Sequence, residues 1–166
     1  MSDMYKEILV SRKTPVVNKL IKGVLILVTV LGILAGMIFF PLFLVGIAAG
    51  VASYFLLPKL EVEYEYLYVN GDLDIDAIYS KQKRKRQASY TMEELELLAP
   101  SNSHALDFYK NSKESKIRDF TSGDENKPSY ILVMNKDKQR ELVKLELDPD
   151  IVADIRRIAP RKVSQV

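Results

Sequence analysis

The longest pattern in the chain is an apolar run, residues 23–58, that contains no charged side chain. As one α-helix this run would be about 54 Å long, whereas the hydrocarbon core of a bilayer is about 30 Å thick. Pro41 lies near its middle, and a proline disfavours the helical conformation at the residue before it. The pattern therefore predicts two membrane-spanning helices, roughly Gly23–Phe39 and Leu42–Leu57, with a tight turn near Pro41.

The run is more than twice as long as the apolar core of a cleaved signal peptide, which has about 7–15 residues. A removed leader is therefore not the favoured interpretation. Each predicted helix is near the lower limit of spanning length. The helix ends can extend to Leu20 and Ile21 on one side and to Leu60 on the other.

Basic residues lie on both sides of the run, whereas the turn between the helices carries no charge. They are Arg12, Lys13, Lys19 and Lys22 before the first helix and Lys59 after the second. Because positively charged flanking segments stay in the cytoplasm, we predict a multi-pass protein of the cell membrane with both termini cytoplasmic. Residues 1–22 are then a cytoplasmic basic segment, residues 23–58 a transmembrane hairpin and residues 59–166 a cytoplasmic domain.

Two glycine pairs with the G-x-x-x-G spacing occur in the run, Gly32 with Gly36 and Gly46 with Gly50. The pairs lie symmetrically about Pro41, so in an antiparallel hairpin they fall at matching depths. Small residues let two helix backbones approach closely in lipid. We therefore predict helix–helix packing through these four glycines within one hairpin. Formation of a homo-oligomer through the same motifs is the alternative.

Beyond the run, residues 60–69 read LEVEYEYLYV, with tyrosines on one face and glutamates on the other. A period of two in these residue types is typical of a β-strand. Asn70-Gly71 then predicts a two-residue hairpin turn, and residues 72–79 alternate again. In this register the apolar face is consistent: Tyr68, Tyr66 and Tyr64 lie opposite Leu73, Ile75 and Ala77.

The other face of this hairpin places Glu65 opposite Asp76, which is unfavourable unless basic side chains lie beside them. A basic segment follows, with Lys81, Lys83, Arg84, Lys85 and Arg86. The favoured interpretation is a third antiparallel strand whose cations form a charge ladder with the acids. The alternative is a contact with anionic lipid headgroups or a protein partner, since the cluster lies near a membrane anchor. These five residues are the candidate contact site.

Shorter patterns predict the remaining elements, from a strand that ends at Pro100 to a helix with Asp148 as its N-cap and Pro149 at its first position. Between them we expect a short helix in 103–111, a strand at 116–121 and a hairpin of strands 130–134 and 140–147 around 135–138. The fold class is therefore α+β: a two-helix hairpin followed by a mainly antiparallel domain of about seven strands, closed by a C-terminal helix.

This order of elements resembles the pleckstrin-homology-like (PH-like) domain, as found in small bacterial membrane proteins with a two-span anchor. The resemblance rests on EYEYLYVNGDLDIDAI at residues 63–78, on the later strand pairs and on PDIVADIRRIAP at residues 149–160. It covers nearly the whole chain. It implies a PH-like fold and no particular activity, because this fold hosts many unrelated roles.

The composition argues against several kinds of binding and catalytic site. Lys and Arg number 24 and Asp and Glu 22, so there is no basic excess to indicate a nucleic-acid partner. The chain has no cysteine and one histidine, His104. Asp72, Asp74 and Asp76 begin like a calcium loop, but Ala77 and Lys83 stand where such a loop needs Gly and Glu. We therefore predict no catalytic residue, no metal and no cofactor.

Two hypotheses about function remain. The first is a membrane-anchored, non-enzymatic binding or scaffold module at the cytoplasmic face of the membrane. Its expected partners are the bilayer itself, anionic headgroups or another membrane protein. The second is a subunit of a larger membrane complex in which the hairpin is the contact element.

Overall fold

The computed structural model describes residues 4–111, 116–136 and 139–164. The chain divides into two compact units. The first, which we call the β unit, comprises residues 1–12, 63–77 and 84–166, and the second, the helical unit, comprises residues 13–62 and 78–83. The helical unit is thus inserted in the sequence of the β unit.

The helical unit contains two long antiparallel helices, α1 (Val16–Gly36) and α2 (Phe40–Leu60). Both are long and apolar enough to cross a membrane. They are longer than the predicted spans because they include Leu20, Ile21 and Leu60.

The turn between the helices lies at 37–39, just before the predicted position. Pro41 is not in this turn: it lies in the first turn of α2. The first amides of a helix have no intrahelical partner, so a proline loses no hydrogen bond there.

The β unit begins with a four-stranded sheet in the order β1-β2-β3-β4. Its strands are β1 (Tyr5–Ser11), β2 (Val62–Val69), β3 (Asp72–Tyr79) and β4 (Lys83–Thr91). β1 pairs with β2 in antiparallel register, from Tyr5 opposite Val69 to Ser11 opposite Glu63. No sequence pattern predicted a strand in residues 1–22, so β1 is absent from the predicted fold.

Both hairpins of this sheet turn through two residues with positive φ. Asn70 and Gly71 (φ 50° and 97°) join β2 to β3, as predicted. Ser80 and Lys81 (φ 46° and 58°) lie in the next turn, where the Gln82 amide donates to the Tyr79 carbonyl at 3.1 Å. Two left-handed residues match the right-handed twist of the flanking strands.

The second sheet has the order β5-β7-β8-β6. Its strands are β5 (Leu95–Pro100), β6 (Lys116–Asp119), β7 (Tyr130–Lys136) and β8 (Gln139–Leu145). The predicted β7–β8 hairpin is confirmed, although residues 137–138 of its turn lie outside the described residues. β6 pairs with β8 in parallel, which the sequence analysis did not predict. The described residues thus form eight strands rather than about seven.

Helices complete the β unit. A 3₁₀ turn (His104–Leu106) and α3 (Asp107–Lys110) form the predicted short helix, and the Ser103 hydroxyl accepts the Ala105 amide. The C-terminal helix α4 (Pro149–Ile158) begins as predicted, because the Asp148 carboxylate accepts the Asp150 amide at 2.9 Å. α4 buries its apolar face at Ile151, Val152 and Ile155.

Two tyrosines of β2 lie in the interior of the β unit and contact its other elements. Tyr66 and Tyr68 are fully buried, and each hydroxyl has an acceptor. Tyr66 donates to the Phe120 carbonyl at 2.7 Å, and Tyr68 donates to Asp154 on α4 at 2.8 Å. The α+β class with a closing C-terminal helix is therefore confirmed.

Candidate functional site

The five basic residues predicted as a contact site divide between the two units. Arg84, Lys85 and Arg86 belong to the β unit, whereas Lys81 and Lys83 belong to the helical unit. The two groups have different surroundings, and each is described by itself.

In the β unit, Arg84 and Arg86 of β4 pair with acids of β2 and β3. Arg86 contacts Asp76 through Nε at 2.6 Å and Asp74 through Nη1 at 2.7 Å. Arg84 pairs with Glu65, and its Nε lies 3.9 Å from Asp76. This is the geometry that the charge-ladder interpretation requires.

The ladder matters because two of its acids are almost inaccessible to water: Glu65 is 8% exposed and Asp76 is 7% exposed. Burial raises the pKa of Glu65, whereas Arg84 lowers it and Glu7 raises it further. The hydrogen bond to Asp76 raises the pKa of Arg86. A buried acid needs a charged partner to remain ionised at low cost. Arg84 and Arg86 therefore have a structural role within the sheet.

Lys85 lies on the opposite face of β4 from Arg84 and Arg86. Its side chain is exposed and makes no ion pair with another described residue. Strand alternation separates it from Arg84 and Arg86, which lie on the acidic face.

In the helical unit, the turn that carries Lys81 is tied to the end of α2. The Ser80 amide donates to the Glu61 carbonyl at 3.0 Å, and the Ser80 hydroxyl donates to the Pro58 carbonyl at 3.3 Å. Lys22 of α1 pairs with Glu61 at 2.8 Å. The pKa of Glu61 is lowered, chiefly by Lys22 and to a smaller extent by Lys81.

These contacts gather charges where the apolar helices end. We call Lys22, Lys59, Glu61, Lys81 and Lys83 the hairpin base. Lys81 and Lys83 are exposed, and neither side chain forms an ion pair with a described residue. Four cations and one anion give the hairpin base a net positive charge.

The backbone at Lys81 is unusual for its residue type. A φ of 58° favours glycine or asparagine, and a lysine there costs roughly 1–2 kcal/mol. Strain of this kind often marks a functional position. The sequence of this segment shows its charge but not this backbone conformation, because a lysine does not indicate positive φ.

The predicted packing glycines lie where α1 and α2 approach each other. A methyl group on Gly32 would lie 2.7 Å from the Gly46 Cα, and one on Gly46 would lie 2.6 Å from the Ile33 nitrogen. A methyl group on Gly36 would collide with the Phe43 backbone, whereas one on Gly50 would only touch Thr29 at 3.4 Å. Gly32, Gly36 and Gly46 thus contact the other helix of the same hairpin.

Other residues singled out in the sequence have ordinary surroundings. His104 is exposed, and its Nδ1 lies 3.2 Å from Asp107. Asp72, Asp74 and Asp76 lie along β3, where the last two pair with arginine. The described residues include no cluster of three or more acids and histidines placed to hold a metal ion.

Two packed sheets closed by a C-terminal helix define a PH-like domain, here with a helical hairpin between its first two strands. The family model of the bacterial PH-like domain (DUF6106) matches residues 2–165. The chain belongs to this family. The match includes β1 and the hairpin. No curated protein and no solved structure is significantly similar to the chain.

Proposed function

We propose that the chain is a membrane-anchored, non-enzymatic binding or scaffold module at the cytoplasmic face of the cell membrane. The observation that carries this proposal is the insertion of two long apolar helices between adjacent strands of a PH-like domain. PH-like domains are generally binding modules, and their surfaces rather than reactive groups determine what they do. The hairpin supplies the attachment.

The distribution of charged residues supports the proposed orientation of the hairpin in the membrane. Lys22 and Lys59 lie at one end of the helix pair, and the turn at the other end has no charged residue. The positive-inside rule then favours insertion from the cytoplasmic side. Because the β unit precedes and follows the hairpin in the sequence, it stays on that side.

The hairpin base is the proposed contact with anionic lipid headgroups. Its lysines lie where the apolar helices end, which is the depth of the headgroup layer. Each basic residue near an anionic surface contributes about 1 kcal/mol, and salt weakens the attraction. Lys81 and Lys83 are the residues to test, since Lys22 already pairs with Glu61.

Stability measurements on the full chain in micelles can separate the lipid contact from the charge ladder. A ligand that binds the folded state raises the unfolding midpoint. We expect anionic lipid to raise the midpoint more than zwitterionic lipid, and K81Q/K83Q to lose this increment with little change in the starting midpoint. The matched control, R84Q/R86Q, should lower the starting midpoint and keep the increment. An increment that survives in K81Q/K83Q would contradict the headgroup contact.

Chemical crosslinking in cells tests the binding role. The parent is compared with two variants: one carries an unrelated apolar hairpin, and the other keeps only residues 13–62. A module that binds through its PH-like domain keeps its crosslinked partner after the hairpin exchange and loses it in the fragment. The reverse outcome would favour the alternative, a subunit of a larger complex with the hairpin as contact element.

A further inference from the structure

The far end of the hairpin has a composition that is unusual for a loop in water. Met37, Ile38, Phe39 and Phe40, which we call the apex, are all apolar, and their side chains are 81%, 91%, 59% and 69% exposed. Loops in water are rich in Gly, Asn, Asp and Ser because these residues suit turns and hydration. The apex has none of them. A contiguous exposed apolar surface marks a contact with something apolar.

Most amides of the apex are paired within the hairpin. The amides of Ile38 and Phe39 donate to the Ala35 carbonyl at 3.0 and 2.9 Å, and the Met37 amide donates to the Leu34 carbonyl at 3.3 Å. Beyond the turn, the Leu42 amide donates to the Phe39 carbonyl at 2.9 Å. Pro41 has no amide hydrogen to satisfy. A chain in hydrocarbon must pair its polar groups internally, and the amides of Met37, Ile38 and Phe39 are already paired in this way.

The uncharged part of the hairpin is also no longer than the hydrocarbon core is thick. From Lys22 to Gly36, α1 rises about 21 Å, and from Lys59 to Phe40, α2 rises about 28 Å. The pairing of Lys22 with Glu61 holds the charged ends of both helices at the base. The hydrocarbon core is about 30 Å thick. With the lysines at the cytoplasmic headgroups, the apex reaches no farther than the far boundary of the hydrocarbon.

We infer that the apex stays in the apolar layer of the outer leaflet, in contact with lipid acyl chains, and does not emerge into water. This inference rests on the proposed function and makes it more specific. The chain enters from the cytoplasm and presents no hydrated surface on the other side. Any water-soluble partner must then bind on the cytoplasmic side.

Cysteine labelling tests the inference directly, because the chain has no native cysteine. The variants are I38C at the apex, E125C in an exposed loop of the β unit, and a control with a Gly-Ser-Cys-Ser-Gly insertion after Ile38. A thiol reacts as the thiolate, which does not form in hydrocarbon. A membrane-impermeant maleimide should label the insertion control from outside the cell and E125C only in inside-out vesicles. It should leave I38C unlabelled from both sides until denaturant is added.

A second reporter protects the test against a cysteine variant that inserts poorly. The chain has no tryptophan, so I38W gives a single tryptophan signal in liposomes. Lipids brominated on their acyl chains should quench it strongly, and aqueous iodide should quench it several-fold less than in the insertion control carrying tryptophan. Labelling of I38C from outside, or strong iodide quenching, would overturn the inference while leaving membrane anchoring intact. Release of the protein by alkaline carbonate would instead overturn the anchoring, and the inference with it.

Discussion

Replacing the hairpin with a short turn should give a water-soluble PH-like domain. Ser11 lies opposite Glu63 in the β1–β2 ladder, so Arg12 and Val62 are the next positions in the register. The Asn70 amide donates to the Met4 carbonyl, which makes the even-numbered residues of β1 the hydrogen-bonded positions. A two-residue turn connects the two residues of a hydrogen-bonded pair, and Arg12 and Val62 form such a pair in this register. The variant therefore joins Arg12 to Val62 through Asn-Gly and omits residues 13–61.

The size of the effect follows from loop closure. Each doubling of the length of a flexible loop adds about 0.6 kcal/mol to the free energy of closing it. Two residues replace residues 13–61, so the length of the connection falls by between four and five halvings. The shorter turn can therefore stabilise the β1–β2 pairing by up to about 3 kcal/mol relative to a flexible connection of the original length. We expect a monomer without detergent that unfolds cooperatively in thermal denaturation followed by circular dichroism.

The matched control is a fragment that starts at Lys59 and so lacks β1. It loses the strand that pairs with residues 63–69 of β2, together with the buried side chain of Val10. We expect this fragment to be less stable than the hairpin-replaced variant by several kcal/mol, or not to fold. Equal midpoints for the two proteins would refute the assignment of β1 to the domain.

Three further predictions concern single positions. Gly46→Ala should destabilise the helix pair by roughly 1–3 kcal/mol, since its methyl group would lie 2.6 Å from the Ile33 nitrogen. The control Gly23→Ala, with open space around the new methyl group, should not destabilise it. The loss of helix on unfolding in micelles measures both variants, and equal effects would contradict the close approach of the helices. Lys81→Gly should stabilise the chain by roughly 0.5–1 kcal/mol, because glycine adopts a φ of 58° without strain. Lys81→Gln removes only the charge and should not stabilise the chain. Thermal unfolding midpoints that rank the other way would refute the backbone strain at this residue. Lys6 lowers the pKa of Asp148, so this pair stabilises the fold above the ordinary pKa of an aspartate and loses its effect as the pH falls from there through the lowered pKa. From about pH 4 downwards the parent should therefore lose more stability than Asp148→Asn, which keeps the helix cap, and parallel pH profiles would exclude the ion pair.

The elements that the sequence predicted well carry their signals locally. The β2–β3 hairpin has strict alternation and Asn70-Gly71, and α4 has an aspartate cap and a proline at its start. The charge ladder was predictable because Glu65 and Asp76 lie opposite each other and require a cation. The two apolar helices were predictable from the absence of charge alone.

The elements that were missed depend on distant partners. β1 is a short strand whose partner β2 lies beyond the whole hairpin, and no local pattern indicates that pairing. The parallel pairing of β6 with β8 joins two segments that are separated by β7. A short turn before the third strand was expected, but the positive φ of Ser80 and Lys81 was not, since the turn has neither the glycine nor the asparagine that normally indicates this conformation.

The side of the membrane on which the termini lie tests the central proposal most directly. Green fluorescent protein, which folds in the cytoplasm, and alkaline phosphatase, which is active only outside it, are each fused to Met1 and to Val166 in intact bacterial cells. A membrane-anchored cytoplasmic module predicts fluorescence at both termini in the membrane fraction and no phosphatase activity at either. Phosphatase activity from either fusion, or fluorescence that stays in the soluble fraction, would contradict it.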